Sequence, residues 1–549
     1  MNIPGHTAGG MPAMPERFDF PGPLLPDYVR LNARWYPHKV AVADEQVALS
    51  WRELDRRSNA VANGLRALGV RNGDSVAILL ENCVEYIEMI YGAWKAGAVV
   101  VPLNLAVAEG GLLMMLQDAS ARVLFCSPLQ AGRLEARLGE VASLLPDGVI
   151  VHDGDSGGYA RWRERQDQGP PAVAIGDEEP CNIIYSSGTT ALPKGIKHLH
   201  RRRVQAIFEL ALAHRYHFGA ISICPIGLYS NVAWGSLMCS LIVGGTCLIR
   251  RQFDPPAWIE DVERHRVTHT MMVPIMFQRV LDAPNFRPEA VRSVQAVLSG
   301  GSPLFEGLKR RIMENFSCAV IELYGLTEGF MTTLQPEEAE GRLASVGKPV
   351  RGNDYILLDD DDQEVPWGGA GEICARSVHW MIEYHNRPDA TREAMFIDRN
   401  GVQWMRSGDI GRTDADGYLY IIDRKKDMIL SGGQNIYPAD IEAVMVEHPL
   451  VSEVAVIGVP DERWGETPIA LVVPHAGDEG GELRQALLGW TNERVGKRQR
   501  LREVHIVDSL PRNPNGKILK RELRRAWTDG GAATSPPPGG SPDATGRPG

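Results

Sequence analysis

Paired cysteines, a basic surplus, an unbroken membrane-length apolar run and a leader pattern are all missing from this 549-residue chain. Its eight cysteines are scattered with no C-x-x-C pair. They offer neither a disulfide framework nor a zinc-ligand spacing, and a reducing, cytoplasmic compartment is the expectation. Lys and Arg total 58 against 69 Asp and Glu, and the net charge of −11 has the wrong sign for an electrostatic nucleic-acid binder. The opening MNIPGHTAGGMPAMPERFDF holds no basic stretch followed by an apolar run, so it does not read as a secretory signal. Residues 220–249 carry no charge, but Pro225, Ser230, Asn231, Ser236, Ser240 and Gly244-Gly245 interrupt them. A buried core helix and strand is expected there, and no integral membrane segment.

What is present is an ordinary globular composition, 44% hydrophobic and 23% charged, long enough for about three or four compact units or fewer large ones. Ser50-Trp51-Arg52-Glu53 fits a capping box, and Leu54, Val61, Leu65 and Leu68 follow at helical spacing until Gly69. Residues 75–80 (SVAILL) form a strand-like run, 84–94 are helical, and 99–103 are strand-like again. Strand, helix, strand is the unit of a parallel sheet, and strand-like runs recur near 123, 182, 245, 270 and 296. From about residue 424 shorter strands and helices suggest a separate compact α+β unit. The expected fold is α/β: a flexible segment 1–24, a large domain of layered α/β sheets 25–423, a smaller mobile α+β domain 424–528, and a Gly/Pro/Ser-rich disordered tail 529–549.

The most informative stretch is Tyr185-Ser-Ser-Gly-Thr-Thr-Ala-Leu-Pro-Lys-Gly195, which leaves a strand and enters a loop dense in Gly, Ser and Thr. Backbone N–H groups, hydroxyls and one ammonium suit a polyphosphate. It is not a Walker A loop, because Pro193 precedes Lys194 and Gly195 follows it. Further motifs follow: Gly300-Gly301-Ser302-Pro303-Leu304, Tyr324-Gly325-Leu326-Thr327-Glu328, Arg406-Ser407-Gly408-Asp409, Asp423-Arg424-Lys425-Lys426-Asp427, Gly432-Gly433-Gln434-Asn435-Ile436-Tyr437-Pro438 and Pro514-Asn515-Gly516-Lys517.

Taken together these motifs resemble, in order, those of the adenylate-forming superfamily of acyl-CoA synthetases, 4-coumarate-CoA ligases, firefly luciferase and adenylation domains. The resemblance covers about residues 25–526. It implies that Ser186, Ser187, Gly188, Thr189, Thr190 and Lys194 cradle the phosphates of ATP. It implies also that the segments holding Gly300, Gly301 and Ser302 and holding Tyr324 and Gly325 wall the adenine pocket, and that Glu322 is among the residues that bind the nucleotide. Tyr324 offers a flat face for the base, and the glycine pair allows close approach of backbone. Thr327 would hold a phosphate oxygen and Glu328 would ligate Mg²⁺, a hard cation that prefers oxygen.

By the same resemblance Asp409 binds the ribose hydroxyls, Arg424 contacts ribose or phosphate, and Asp423 is the hinge of the small domain. Lys517 would bridge the substrate carboxylate and the nucleotide, lowering the repulsion as a carboxylate approaches an anionic α-phosphate. Gly432 and Gly433 would line the tunnel for CoA, the co-substrate. Ala191 stands where the family usually has Gly, and Ser407 where it more often has Thr; tolerance is expected at both.

The implied activity is an ATP-dependent acid–CoA ligase that forms an acyl-adenylate, releases pyrophosphate and passes the acyl group to a thiol. Tyr229 or Trp234 would wall the acyl site, and both are equally explicable as core aromatics. Since 220–249 holds no Arg or Lys, a monocarboxylic acid with an apolar tail is expected, with fatty acids favoured by the stretch HTMMVPIMFQRVL at 269–281. Alternatives are an aromatic acid of cinnamic or benzoic type, a stand-alone loader of a carrier protein, and, least favoured, an inactive sensor of acyl or nucleotide ligands. A homodimer is compatible with the chain, though no residue pattern argues for one.

Overall fold

The computed structural model describes residues 22–153, 158–186, 193–432, 434–475, 481–512 and 517–528. Ser187, Gly188, Thr189, Thr190 and Gly433 lie outside the described residues, as do most of 1–24 and all of 529–549.

The chain forms the helix after Ser50 as its sequence dictates. Ser50 Oγ accepts from the N–H of Glu53 at 3.3 Å, and Glu53 returns a carboxylate oxygen to the N–H of Ser50 at 2.8 Å. The helix runs Trp51–Ala67, and Gly69, at φ 101°, turns the chain out of it. The strand Ser75–Leu79, the helix Val84–Lys95 and the strand Val99–Pro102 then make a parallel crossover, with Ser75 beside Val99. Lys194–Leu199, Pro180–Ser186, Ala121–Cys126, Gly148–Val151 and the short Glu383–Tyr384 complete a seven-stranded sheet.

A nine-stranded sheet is built around the parallel strands Ala319–Gly325, Ala296–Gly300, His269–Met272, Ile221–Cys224 and Thr246–Ile249. The uncharged segment supplies two of these strands and, between them, the buried helix Asn231–Ile242. No helix among the described residues is long and apolar enough to cross a membrane. Every residue of Val84–Lys95 is buried, and its side chains share one cluster with Val76, Ile78 and Val100 of one sheet and Val42, Cys247 and Met271 of the other. Two of the charges on this helix, Glu88 and Lys95, are paired in place. Lys95 Nζ meets Asp55 Oδ1 at 2.6 Å, and Glu88 receives Arg57, Arg163 and Tyr159.

A third sheet, Asn353–Leu358, Ala370–Ser377, Gln403–Thr413, Met395–Ile397 and Leu419–Arg424, is antiparallel. A fourth follows it, made of Gln434–Ile436, Ile429–Ser431, Gly465–Pro474, Val451–Asp461 and Val504–Ile506. The helices Pro438–Met445, Gly481–Arg494 and Lys520–Thr528 accompany it. The fold is therefore a large layered α/β domain followed by a smaller α+β one. All eight cysteines are free.

Candidate active site

Two strand ends meet at the nucleotide motifs. Gly300 closes Ala296–Gly300 in register with Leu323, one residue before Tyr324, and a Cβ on Gly300 would stand 3.1 Å from the Leu323 carbonyl oxygen. Gly301 follows at φ 87°, a conformation that favours glycine. Tyr324, near the end of Ala319–Gly325, donates its phenolic proton to Oδ2 of Asp409 at 2.7 Å. Burial, with Asp409 next, holds that phenol well above its ordinary value, so it stays a donor.

Asp409 is placed by its own strand. Gly408 takes φ 71°, Ser407 Oγ accepts from the Asp409 N–H at 3.0 Å, and Arg424, its cross-strand neighbour, brings Nε to 3.3 Å from Oδ1. The carboxylate is buried, with a cation on one oxygen and a phenol on the other.

Lys517, a half-buried residue from the far end of the chain, comes within electrostatic reach of the same carboxylate. Its ammonium feels Arg424 and Lys426 as like charges and Asp409 and Asp427 as opposite ones. Burial first, then Arg424, pushes it down to about 7, and burial likewise pushes Lys426 to about 8. Asp423 joins the two units: Oδ1 accepts from the N–H of Arg424 at 2.6 Å and Oδ2 from the N–H of Ala439 at 3.0 Å. Ala439 lies in the first turn of Pro438–Met445.

A second cluster forms around Glu328. Tyr384 donates its hydroxyl to Glu328 Oε1 at 2.7 Å, and Lys194 places Nζ 4.6 Å from the centroid of the same ring. Glu328 Oε2 has no partner among the described residues, so a hard oxygen remains for a divalent cation, and the site fits Mg²⁺ on that ground. Three residues separate Tyr324 from Glu328, so the two clusters adjoin.

Not every expected residue converges here. Glu322 is buried and turned to Lys309 of the helix Glu306–Asn315, so its carboxylate serves an internal ion pair. Trp234 is fully buried, its ring edge-on to Trp94 at 5.7 Å and its Nε1 donating to the Leu228 carbonyl at 2.7 Å. It is a core aromatic. Tyr229 is half-buried, its ring against Gly227, and burial pushes its phenol up to about 12. Gly432 stands at φ 56° and donates its N–H to the Trp464 carbonyl at 2.7 Å, while a Cβ there would lie 2.7 Å from the Trp464 ring. Tyr384 and Lys426 were not singled out by sequence. Tyr384 sits in Glu-Tyr-His, with no local pattern to mark it, whereas Lys426 lay inside a motif already read.

Comparison with known proteins gives this geometry its context. The model of the AMP-binding enzyme family matches residues 29–385, and that of the AMP-binding enzyme C-terminal domain matches residues 440–517. A feruloyl-CoA synthase of Amycolatopsis sp is 36% identical over 506 residues, 90% of this chain and 97% of the relative. A long-chain-fatty-acid–CoA ligase, FadD13, of Mycobacterium tuberculosis is 34% identical over 484 residues, 88% and 94% of the two chains. Among solved structures, the anthranilate CoA ligase AuaEII in complex with anthranoyl-AMP superposes with a TM-score of 0.85 at 25% identity, covering 92% of this chain and 98% of its own. With the family match spanning both domains and the adenylate-site motifs in order, the chain belongs to the AMP-binding, adenylate-forming enzyme family and is an acid–thiol ligase of the acyl-CoA synthetase type.

Proposed function

We propose that this enzyme couples the carboxylate of a largely hydrophobic acid to AMP, releasing pyrophosphate, and then transfers the acyl group to CoA. The observation that carries the reading is the meeting of Tyr324 and Arg424 on the Asp409 carboxylate, with Lys517 within electrostatic reach of it. Asp409 is oriented by Tyr324 and Arg424 to accept the ribose hydroxyls. Lys517 brings one mobile positive charge between the acid and the α-phosphate, where attack would otherwise join two anions. The acid is already ionised at neutral pH, so the attack needs no general base. Mg²⁺ on Glu328 would supply charge neutralisation to the phosphates. Lys194 and the loop before it bind them, and Asp423 is the pivot about which the small domain turns to admit the thiol.

Two readings of the acid are carried forward. The apolar make-up of 220–249 supports a fatty acid. Similarity to a feruloyl-CoA synthase supports an aromatic acid with oxygen on its ring. Pyrophosphate release from Mg·ATP, measured over fatty, cinnamic, benzoic and amino acids with and without CoA, with mass detection of the thioester, tests the whole. A CoA-dependent thioester from one class is expected. Pyrophosphate without a CoA product would move the acceptor to a carrier protein, and silence with every acid would overturn the ligase reading.

A further inference from the structure

The expectation of a purely apolar tail counted charges only within 220–249, and a charge reaches that segment from the neighbouring helix. Four Lys or Arg residues are buried among the described residues: Lys95, Arg203, Arg250 and Lys309. Three are matched by a carboxylate, Lys95 by Asp55, Arg250 by Asp261 and Lys309 by Glu322. Arg203, on the helix His200–Ala213, has no carboxylate partner among the described residues. A buried charge is ordinarily paired, and the other three buried Lys and Arg side chains among the described residues obey that rule.

The partners of Arg203 are neutral. Nε and Nη2 donate to Asn182 Oδ1 at 3.1 and 3.0 Å, Nη2 also to His198 Nδ1 at 3.1 Å, and Nη1 to Asn231 Oδ1 at 2.8 Å. His198 Nδ1 faces Asn182 Nδ2 as well, at 3.2 Å, and with two donors aimed at it that nitrogen is an acceptor. The ring is therefore neutral, in keeping with its burial and with Arg203 beside it. Of the five guanidinium N–H groups these contacts use four. The guanidinium also meets the Cys181 thiol, which burial pushes up to about 12 and so keeps neutral, and every partner of Arg203 is therefore uncharged.

Asn231 opens the helix Asn231–Ile242 and is half-buried. Arg203 occupies its Oδ1, so its free face is the Nδ2 donor, which has no partner among the described residues. Trp234, one turn on, lies under the guanidinium with its centroid 5.6 Å away. A half-buried amide donor thus stands beside a positive charge that no carboxylate among the described residues neutralises.

We propose that Arg203 and Asn231 form a subsite for an oxygen-bearing group on the tail of the acid, neutral or, with stronger effect, anionic. The proposal rests on the reading that the acid lies along 220–249. An acceptor oxygen there takes the Asn231 Nδ2 donor beside the guanidinium, and an anionic one also supplies the missing counter-charge. A site built to hydrogen-bond a group rejects the analogue that lacks it, because its own buried donors are then left unpaired.

The test is pyrophosphate release by the full-length protein over acids of one carbon skeleton: unsubstituted, hydroxylated or methoxylated, and carrying a second carboxylate at the far end. In the wild type, kcat/KM for one or both oxygen-bearing acids exceeds that of the unsubstituted acid by about tenfold or more, chiefly through KM. The member that gains most tells a neutral oxygen from an anionic one. Arg203→Met brings that ratio to about one, and Arg203→Lys keeps part of it. Asn231→Asp gives Arg203 an internal carboxylate and lowers the ratio for the dicarboxylic acid; it carries the test if Arg203→Met does not fold. A wild-type ratio of one or less, or an unchanged ratio in the variants, overturns the subsite while leaving the ligase intact. No pyrophosphate from any acid would remove the ligase reading and the subsite with it.

Discussion

The phenol of Tyr324 and the carboxylate of Asp409, 85 residues apart in sequence, are joined by a 2.7 Å hydrogen bond that ties the nine-stranded sheet to the third sheet. Its donor also presents the ring expected to stack on adenine, so base recognition and ribose recognition share one bond. Tyr324→Phe keeps the ring and deletes the bond. KM for ATP is expected to rise about tenfold, the order of one charge-assisted hydrogen bond, with little change in KM for the acid. Steady-state kinetics with each substrate varied in turn checks this, and equal shifts in both constants would separate Asp409 from the ribose.

Lys517→Ala is expected to lower acyl-adenylate formation by about two to three orders of magnitude, the scale of losing one preorganised charge at a transition state. Thioester formation from supplied acyl-adenylate should stay near wild type. The pH dependence has a definite sign. A lysine pushed down to about 7 carries its charge below that pH and loses it above, so kcat/KM for ATP in the adenylation half-reaction falls as pH rises through about 7. A flat profile from pH 6 to 9 would count against Lys517 as the required cation.

Gly432→Ala combines an unfavourable φ with a Cβ at 2.7 Å from the Trp464 ring. The thiol step should slow more than adenylation, and Trp464→Ala in the same chain should restore part of the loss by clearing the space. Stopped-flow measurement of the two half-reactions separates them. Loss confined to adenylation would remove Gly432 from the CoA path.

Lys309→Met leaves Glu322 buried without its cation, a change that costs about 3–5 kcal/mol when a buried pair loses one partner. The melting temperature of the large domain should drop by several degrees, and Glu322→Gln added to it should recover part of the drop. Calorimetry checks both, and a melting temperature unmoved by Lys309→Met would place Glu322 outside a structural ion pair.

These residues also show how far sequence carries. The helix Trp51–Ala67 was legible because its signals, Ser50, Glu53 and Gly69, act on their own backbone within a turn. The motifs around Tyr324, Asp409 and Arg424 were legible because family order survives in the chain, and their side chains do meet. Tyr384 and the Arg203–Asn231 pair were not, since the partners lie 56 and 28 residues apart and no local spacing encodes such contacts. Glu322 and Trp234 show the converse. A carboxylate or an indole near a motif looks available until tertiary packing assigns it to Lys309 or to Trp94.

The helix Val84–Lys95 has a consequence for how this enzyme could be divided. With all its residues buried, and its contacts shared by two sheets that have no hydrogen-bonded strand in common, it acts as a keystone: each sheet is the other's roof. A cut in the chain between residues 153 and 180 would part neither half cleanly, because the first fragment would carry that helix with one flank stripped bare. Two co-expressed fragments split there should assemble or aggregate together, and neither should persist alone.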